Sequence, residues 1–144
     1  SLEPAYRRWL AHAGHGPAEA AAGAATVVGA LCRTLESAAG RWVLAQADAA
    51  AAEQAWSSRA TPEEGTVAVH HVIDRIFIAD GCRWIVDYKT VHVPEGADES
   101  AFLNARAADY RLQLARYASL FAGDPLPLRL AIFFPLQGVL VELP

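Results

Sequence analysis

Residues 72–89 read VIDRIFIADGCRWIVDYK, a pattern that predicts a β-hairpin in this 144-residue chain. β-Branched and aromatic residues fill both halves, and Asp80-Gly81 stands between them, which favours a two-residue type I′ turn. If Asp80-Gly81 is the loop, every cross-strand pair sums to the same total, so Asp74 lies opposite Asp87. The hairpin therefore brings two carboxylates together, and their repulsion calls for a positive group between them.

The single lysine of the chain lies two residues beyond the second acid. Eleven of the twelve basic side chains are arginine, and Lys89 is the exception. Because side chains alternate along a strand, Asp87 and Lys89 share one face while Tyr88 points to the other. Two carboxylates with a nearby backbone carbonyl oxygen suit Mg²⁺ or Mn²⁺ better than Zn²⁺. An ordinary surface hairpin is the alternative, but apolar residues surround the acids, where unpaired carboxylates are costly.

A second group of candidate residues lies on a predicted helix from Ala101 to about Phe121, with Ser100 as its N-cap. Tyr110, Gln113 and Tyr117 are spaced three and four residues apart, so they lie along one helix face. Spacing alone fits a buried polar and aromatic stripe equally well.

The remaining predicted elements follow from apolar periodicity and from turn residues. Helices are predicted over Pro4–Ala13 and Ala18–Ala39, with Gly40 as a C′ residue, and Ala47–Ala52 is predicted to be helix or loop. Strands are predicted over Glu53–Ser58, Thr66–Ala79, 128–134 and 139–142. A loop is predicted over Thr90–Asp98, above the expected metal.

Composition indicates one domain with a sizeable core, since 53% of the residues are hydrophobic. We find neither a secretory leader nor a charge-poor apolar run of membrane-spanning character, so we expect a cytoplasmic protein with no membrane partner. Cys32 and Cys82 have no metal-binding spacing, and two cysteines cannot form a four-cysteine iron–sulfur cluster. The net charge of −4 indicates modest, local phosphate binding at most.

The ordered set of motifs resembles a known family. Asp74, then Asp87-x-Lys89, then Gln113-Leu114-x-x-Tyr117 are similar to the PD-(D/E)xK phosphodiesterase superfamily, and within it to the RecB-type nuclease domain at the C-terminal end of bacterial UvrD/Rep-type helicases such as AddA. The resemblance spans roughly Glu53 to Pro144.

This resemblance implies an α/β fold with a restriction-endonuclease-like core: a central mixed β-sheet flanked by helices, preceded by an N-terminal helical segment. We expect residues 1–144 to be one domain of a larger helicase-nuclease, with 1–48 helical and 49–144 the nuclease core. The implied activity is Mg²⁺- or Mn²⁺-dependent hydrolysis of single-stranded DNA, as an exonuclease in double-strand-break repair and recombination. The implied partners are helicase domains of the parent chain and a second nuclease or helicase subunit.

The resemblance also assigns roles to particular residues. Asp74, Asp87 and the carbonyl oxygen of Tyr88 would hold the metal, and Lys89 would position the attacking hydroxide. Gln113 would orient the site or the strand, and Tyr117 would contact the strand. Iron–sulfur clusters of some relatives are not expected here.

The family also places a metal-ligating histidine on an upstream helix, in a Gly-x-x-x-His setting, which we do not find. His12 and His15 flank a Gly-rich turn, and His70 lies too far along its strand from Asp74 to share one ion. We therefore expect that the histidine helix lies outside this sequence.

The sequence leaves open the role of Glu53, and whether the domain is catalytically incomplete and serves DNA binding or subunit assembly. A resolvase or restriction enzyme is the third alternative, which Gln113 and Tyr117 disfavour.

Overall fold

The computed structural model describes residues 2–45, 51–60 and 67–144, with side chains described for 2–45 and 72–144. In these ranges the chain forms helices and strands in the order α1 (Glu3–His12), α2 (Pro17–Glu36), α3 (Ala38–Ala45), β1 (Ala51–Ala60), β2 (Val67–Ala79), β3 (Cys82–Tyr88), α4 (Glu99–Asp109), α5 (Arg111–Ser119), β4 (Leu128–Phe134) and β5 (Val139–Leu143).

The five described strands form one mixed sheet in the order β1-β2-β3-β4-β5. β3 and β4 are parallel, and the other neighbouring strands are antiparallel. A parallel pair needs a long crossover, and here α4 and α5 supply it. This arrangement confirms the predicted α/β fold with a mixed sheet flanked by helices.

The predicted hairpin is confirmed in its turn and its register. Asp80 and Gly81 have φ of 52° and 72°, the left-handed values that a type I′ turn requires. Ile76 pairs with Ile85, as the turn chemistry predicts, and the pairing of β2 with β3 runs as far as Arg75 with Val86. The turn residues therefore fix which side chains of the two strands share a face.

Helices cover both faces of the sheet and create two apolar clusters. We call the side covered by α3 the α3 face and the side covered by α4 and α5 the α4–α5 face. The buried core of the α3 face consists of Val43, Phe77, Ala79, Trp84, Val86, Ala131 and Phe133. The buried core of the α4–α5 face consists of Ile73, Ile76, Ile85, Leu103, Ala107, Leu114, Tyr117, Phe121, Ile132, Phe134 and Leu143.

The prediction that Gly40 follows the end of a long helix is wrong. α2 ends at Glu36, Ser37 has extended backbone, and Gly40 lies inside α3. The Ser37 hydroxyl accepts a hydrogen bond from the Gly40 N–H at 2.9 Å, which caps α3. A Cβ at position 40 would lie 2.0 Å from the Thr34 carbonyl oxygen, so glycine permits the close approach of the two helices.

The prediction of one continuous helix from Ala101 to Phe121 is also wrong. The helix breaks at Tyr110, whose dihedral angles of −92° and 2° separate α4 from α5. The N-cap is Asp98 rather than Ser100, because the Asp98 carboxylate accepts a hydrogen bond from the Ala101 N–H at 2.6 Å. Both residue types cap helices well, so the sequence pattern does not distinguish them.

The other predicted elements agree with the structure within a few residues. β1 contains the predicted strand Glu53–Ser58, and β4 and β5 contain the two closing strands. Residues 46–50 lie outside the described part, so the prediction for Ala47–Ala52 is tested only at its end, which is strand rather than helix or loop. Across the described ranges, none of the helices combines the length and apolar character that crossing a bilayer demands.

Candidate active site

The two predicted acids lie where β2 and β3 part. The described β2–β3 pairing reaches Arg75 and Val86, and next to it the Asp74 carboxylate accepts a hydrogen bond from the Tyr88 N–H at 2.8 Å. β3 continues along β4 instead, since the Lys89 N–H donates to the Phe133 carbonyl at 3.0 Å. The Asp74 carboxylate thus takes the place of a backbone carbonyl as the acceptor for the Tyr88 N–H. Both acids therefore lie at the point where β2 and β3 separate.

Asp87 is the buried acid of the pair. It is 2% exposed, and among the described side chains it is the single charged residue in the buried core. Burial raises the pKa of Asp87 above its ordinary value; the Lys89 ammonium opposes this shift, and the neighbouring Asp74 carboxylate adds to it. The Lys89 ammonium therefore offsets only part of the cost of burying the Asp87 carboxylate.

Lys89 supplies the positive charge that the opposed acids require. Its Nζ lies 2.6 Å from Oδ2 of Asp87 and 4.7 Å from the centre of the Tyr110 ring. Burial acts to lower the pKa of Lys89, but the close contact with the negatively charged Asp87 carboxylate outweighs it, so the pKa is raised and the side chain is an ammonium. The structure thus brings together Asp74, Asp87 and Lys89 as predicted.

Tyr88 points away from these three residues. Its ring packs edge-on against Phe133 on the α3 face, with 5.9 Å between ring centres. There it lines an apolar cavity of about 320 Å³ between α2, α3 and the sheet. Burial raises the pKa of the Tyr88 hydroxyl, which stays neutral. The Tyr88 N–H donates to the Asp74 carboxylate, and the use of the Tyr88 carbonyl oxygen as a metal ligand stays a prediction.

Gln113 and Tyr117 contact each other on α5. The Gln113 amide donates to the Tyr117 hydroxyl at 2.6 Å. Tyr117 is 6% exposed and belongs to the core of the α4–α5 face, whereas Gln113 is half-buried. The pair therefore lies on the same side of the sheet as Asp87, and its predicted role toward a DNA strand stays a prediction.

The donor atoms at this site fit a hard divalent cation. Oδ2 of Asp87 is buried, and within the described part of the chain it accepts no hydrogen bond of standard geometry, although the Lys89 ammonium lies beside it. Mg²⁺ is commonly held by one or two carboxylates and keeps several waters, so Asp74 and Asp87 are sufficient protein acids. Among the described residues, no three His, Cys, Asp or Glu side chains converge as metal ligands.

The described histidines lie apart from the acids. The ring of His12 bonds to the Arg8 carbonyl at the end of α1, and His15 lies 3.8 Å from Glu19. His92 is exposed in the loop after Lys89. The side chains of His70, His71 and Glu53 lie outside those that the structure describes, so the prediction that His70 lies too far from Asp74 to share an ion is untested.

Several arginines of the motif-bearing half have structural roles rather than open surface charge. Arg75 donates to the Val43 carbonyl at 2.9 Å, and Arg83 is ion-paired with Asp124. Arg106 pairs with Asp109 at 3.1 Å. Arg111 and Arg116 are exposed on α5. The positive charge available to a phosphate backbone near the acids is therefore smaller than the arginine count indicates.

Tyr110 is the residue of this site that sequence reasoning missed. The spacing placed it on one helix face with Gln113 and Tyr117, but gave it no role at the acids. In the structure its ring contacts the Lys89 ammonium. The alternation of side chains along β3 predicts the face on which Lys89 lies. The sequence pattern does not predict that the α4–α5 junction packs over that face, because this depends on tertiary packing.

A comparison with models of protein families finds a match over most of the chain. A family model described as the PD-(D/E)XK nuclease superfamily matches residues 2–140. The match begins well before Glu53, so it extends over α1, α2 and α3 as well as over the motif-bearing strands. Among curated proteins, no match is found.

Proposed function

This chain belongs to the PD-(D/E)XK nuclease superfamily, and from that premise we propose that it is a Mg²⁺- or Mn²⁺-dependent nuclease domain that hydrolyses phosphodiester bonds of DNA. The observation that carries this proposal is the buried Asp87 carboxylate, with Lys89 at 2.6 Å and Asp74 as its second acidic neighbour. A purely structural hairpin does not need a buried carboxylate beside a second acid and an ammonium, because apolar residues fill such positions at lower cost.

In this proposal Asp74, Asp87 and the Tyr88 carbonyl oxygen hold the divalent ion. When bound, that ion lowers the pKa of a coordinated water and polarises a phosphoryl oxygen. Lys89 donates hydrogen bonds to the attacking oxygen and to the phosphate, and its positive charge offsets negative charge that develops in the transition state. The apolar surroundings of Asp87 strengthen these interactions by excluding water.

We further propose the narrower assignment that the resemblance of the motifs supports. The domain acts as an exonuclease on single-stranded DNA, delivered by helicase domains of an AddA-like parent chain in double-strand-break repair. The support consists of the Gln113–Tyr117 pair at the spacing of RecB-type domains, on the same side of the sheet as Asp87. A helicase body would supply most of the contacts to the phosphate backbone. This agrees with the contacts that Arg75 and Arg83 make within the domain.

A panel of labelled substrates tests this assignment. Linear single-stranded DNA, duplex DNA, circular single-stranded DNA and RNA are incubated with the protein in Mg²⁺, in Mn²⁺ and in chelator. The proposal expects metal-dependent loss of nucleotides from linear single strands, with circular strands intact. Cleavage of the circles would overturn the exonuclease assignment alone. Absence of cleavage in both metals, with Asp74→Asn as the matched blank, would overturn the nuclease proposal.

One observation favours a second candidate, a nuclease-like domain that binds DNA or a partner subunit without cleaving. The described histidines His12, His15 and His92 lie apart from the acids, so none of them supplies the histidine ligand that the family resemblance places upstream. The second candidate expects DNA binding that is equal in metal and in chelator and is unchanged in Asp87→Asn. A metal-dependent gain in affinity that Asp87→Asn removes would decide against it.

A further inference from the structure

The Lys89 ammonium has an aromatic neighbour as well as an acidic one. Its Nζ lies over the Tyr110 ring, 4.7 Å from the ring centre, and 2.6 Å from the Asp87 carboxylate. An ammonium within about 6 Å of an aromatic face is attracted to the negative face of the ring. Lys89 is thus held from two sides, by β3 through Asp87 and by the helix junction through Tyr110.

The two neighbours of the Lys89 ammonium differ in charge, and only the charged one is also a proposed metal ligand. Asp87 is also the carboxylate proposed to hold a divalent ion, so its charge is shared between that ion and the ammonium. The Tyr110 ring is neutral and attracts only the ammonium. It restrains a side chain with four rotatable bonds without competing for the acids.

The position of the ring is set by the break between α4 and α5. The Tyr110 N–H bonds to the Ala107 carbonyl at 3.1 Å, and its carbonyl accepts from the Leu114 N–H at 3.0 Å, so its backbone belongs to both helices. The half-buried side chain also packs against the core of the α4–α5 face. An aromatic residue fixed at both its backbone and its ring is a rigid support for a flexible lysine.

We propose that Tyr110 is a positioning residue that holds the Lys89 ammonium at the acid pair through the face of its ring, a role that rests on the proposed nuclease function. The ring rather than the hydroxyl carries this role. Tyr110→Phe therefore keeps it, and Tyr110→Leu removes it while leaving an apolar side chain in the core.

Because Lys89 is the single lysine of the chain, isotope-labelled lysine gives one set of side-chain NMR signals. The experiment compares wild type, Tyr110→Phe, Tyr110→Leu and Phe102→Leu in metal-free buffer at one pH. Phe102 is a matched control, since it packs against the same core and its ring contacts Arg106 instead. We expect upfield Lys89 side-chain protons in wild type, Tyr110→Phe and Phe102→Leu, and loss of that shift in Tyr110→Leu.

The same four proteins are then assayed for DNA cleavage with Mn²⁺. We expect kcat to fall about 3- to 30-fold in Tyr110→Leu, the range that a cation–π contact spans, with KM for DNA unchanged and with full activity in Tyr110→Phe. An unchanged Lys89 shift in Tyr110→Leu would overturn the proposal, as would a changed shift with wild-type kcat. If wild type itself is inactive, the nuclease function fails, whereas the Lys89 signal still shows whether the ammonium end of the side chain lies over the Tyr110 ring in solution.

Folding of the leucine variant is checked by circular dichroism. Should Tyr110→Leu fail to fold, pentafluorophenylalanine at position 110 keeps the shape of the ring and reverses the charge distribution of its face. We then expect the same fall in kcat. Wild-type kcat in that protein would overturn the proposal.

Discussion

The two faces of the sheet use the same strands for different purposes. On the α3 face, Phe77 and Trp84 stack with 6.4 Å between ring centres, and Trp42 packs edge-on against both. On the α4–α5 face, the same strands present Asp87 and Lys89 to the helix junction at Tyr110. Successive residues of β3 thus alternate between an aromatic core and a charged site.

The difference indicates where stability and chemistry lie. Aromatic packing on the α3 face buries large apolar side chains, and the guanidinium groups of Arg75 and Arg129 lie over the rings of Phe77 and Trp84. Burial of apolar surface is the main favourable term in folding. The α4–α5 face carries a buried carboxylate that opposes folding unless it is paired. We therefore expect substitutions on the α3 face to change the free energy of unfolding, and substitutions at the acids to change turnover.

The largest expected effect is on stability, at Phe77 in the centre of the aromatic cluster. Its side chain is fully buried, and Phe77→Ala should lower the free energy of unfolding by about 3–5 kcal/mol because it leaves a cavity. Urea denaturation measures this change. The milder Phe77→Leu serves for activity and should keep wild-type kcat. A large loss of kcat in a folded Phe77→Leu protein would mean that the two faces are not independent.

The second effect is on turnover, at Lys89. Lys89→Ala should reduce kcat by about 10²- to 10³-fold, the range seen when one donor to a developing negative charge is removed. Lys89→Arg is the matched control for charge, because it keeps the ion pair with Asp87 but presents a planar fork instead of a compact ammonium. We expect Lys89→Arg to retain wild-type stability and to lose turnover. Retention of turnover in Lys89→Arg would show that charge alone is sufficient.

The hairpin of the site is predictable from local sequence, whereas the helix junction that covers it is not. Asp80-Gly81 fixes the register, and register with strand alternation puts Asp74, Asp87 and Lys89 together, so the core of the site was predictable. The helix break at Tyr110 was not, because the segment from Ala101 to Phe121 contains neither glycine nor proline. The contact between Tyr110 and Lys89 joins residues 21 positions apart, and neither spacing nor propensity encodes it.

The third effect is the stabilisation of the fold by a bound metal ion, which should depend on the acids of the α4–α5 face and not on the aromatic core of the α3 face. Mg²⁺ or Mn²⁺ at 100 times its dissociation constant should stabilise the protein by about 2.7 kcal/mol if it binds only the folded state. Thermal denaturation with and without metal measures this shift. Asp74→Asn and Asp87→Asn should lose it, and Phe77→Leu should keep it. An equal shift in all four proteins would place the bound ion away from the two acids.

The smallest effect is the pH dependence of stability in metal-free buffer. The pKa of Asp87 is raised in the folded state from an ordinary value of 3.8, so the folded state binds the proton more tightly than the unfolded state. Asp87 therefore adds stability as pH falls through its folded pKa towards 3.8, and this contribution is lost as pH rises through the folded pKa. The raised pKa of Lys89 contributes stability that is fully present below its ordinary value of 10.5 and is lost as pH rises through its folded pKa.

Urea midpoints at neutral and at mildly acidic pH measure this contribution of Asp87. Asp87→Asn should remove the rise in stability that the wild-type protein shows on acidification. The same rise in both proteins would assign it to groups other than Asp87.

The most direct test of the division between the two faces is one assay of single-stranded DNA cleavage in Mn²⁺, with wild type, Lys89→Ala and Phe77→Leu at equal concentrations of folded protein. We expect wild type and Phe77→Leu to cleave at similar rates and Lys89→Ala to be inactive or nearly so. Cleavage by Lys89→Ala at the wild-type rate would contradict the account, because the ammonium beside Asp87 would then have no part in the reaction.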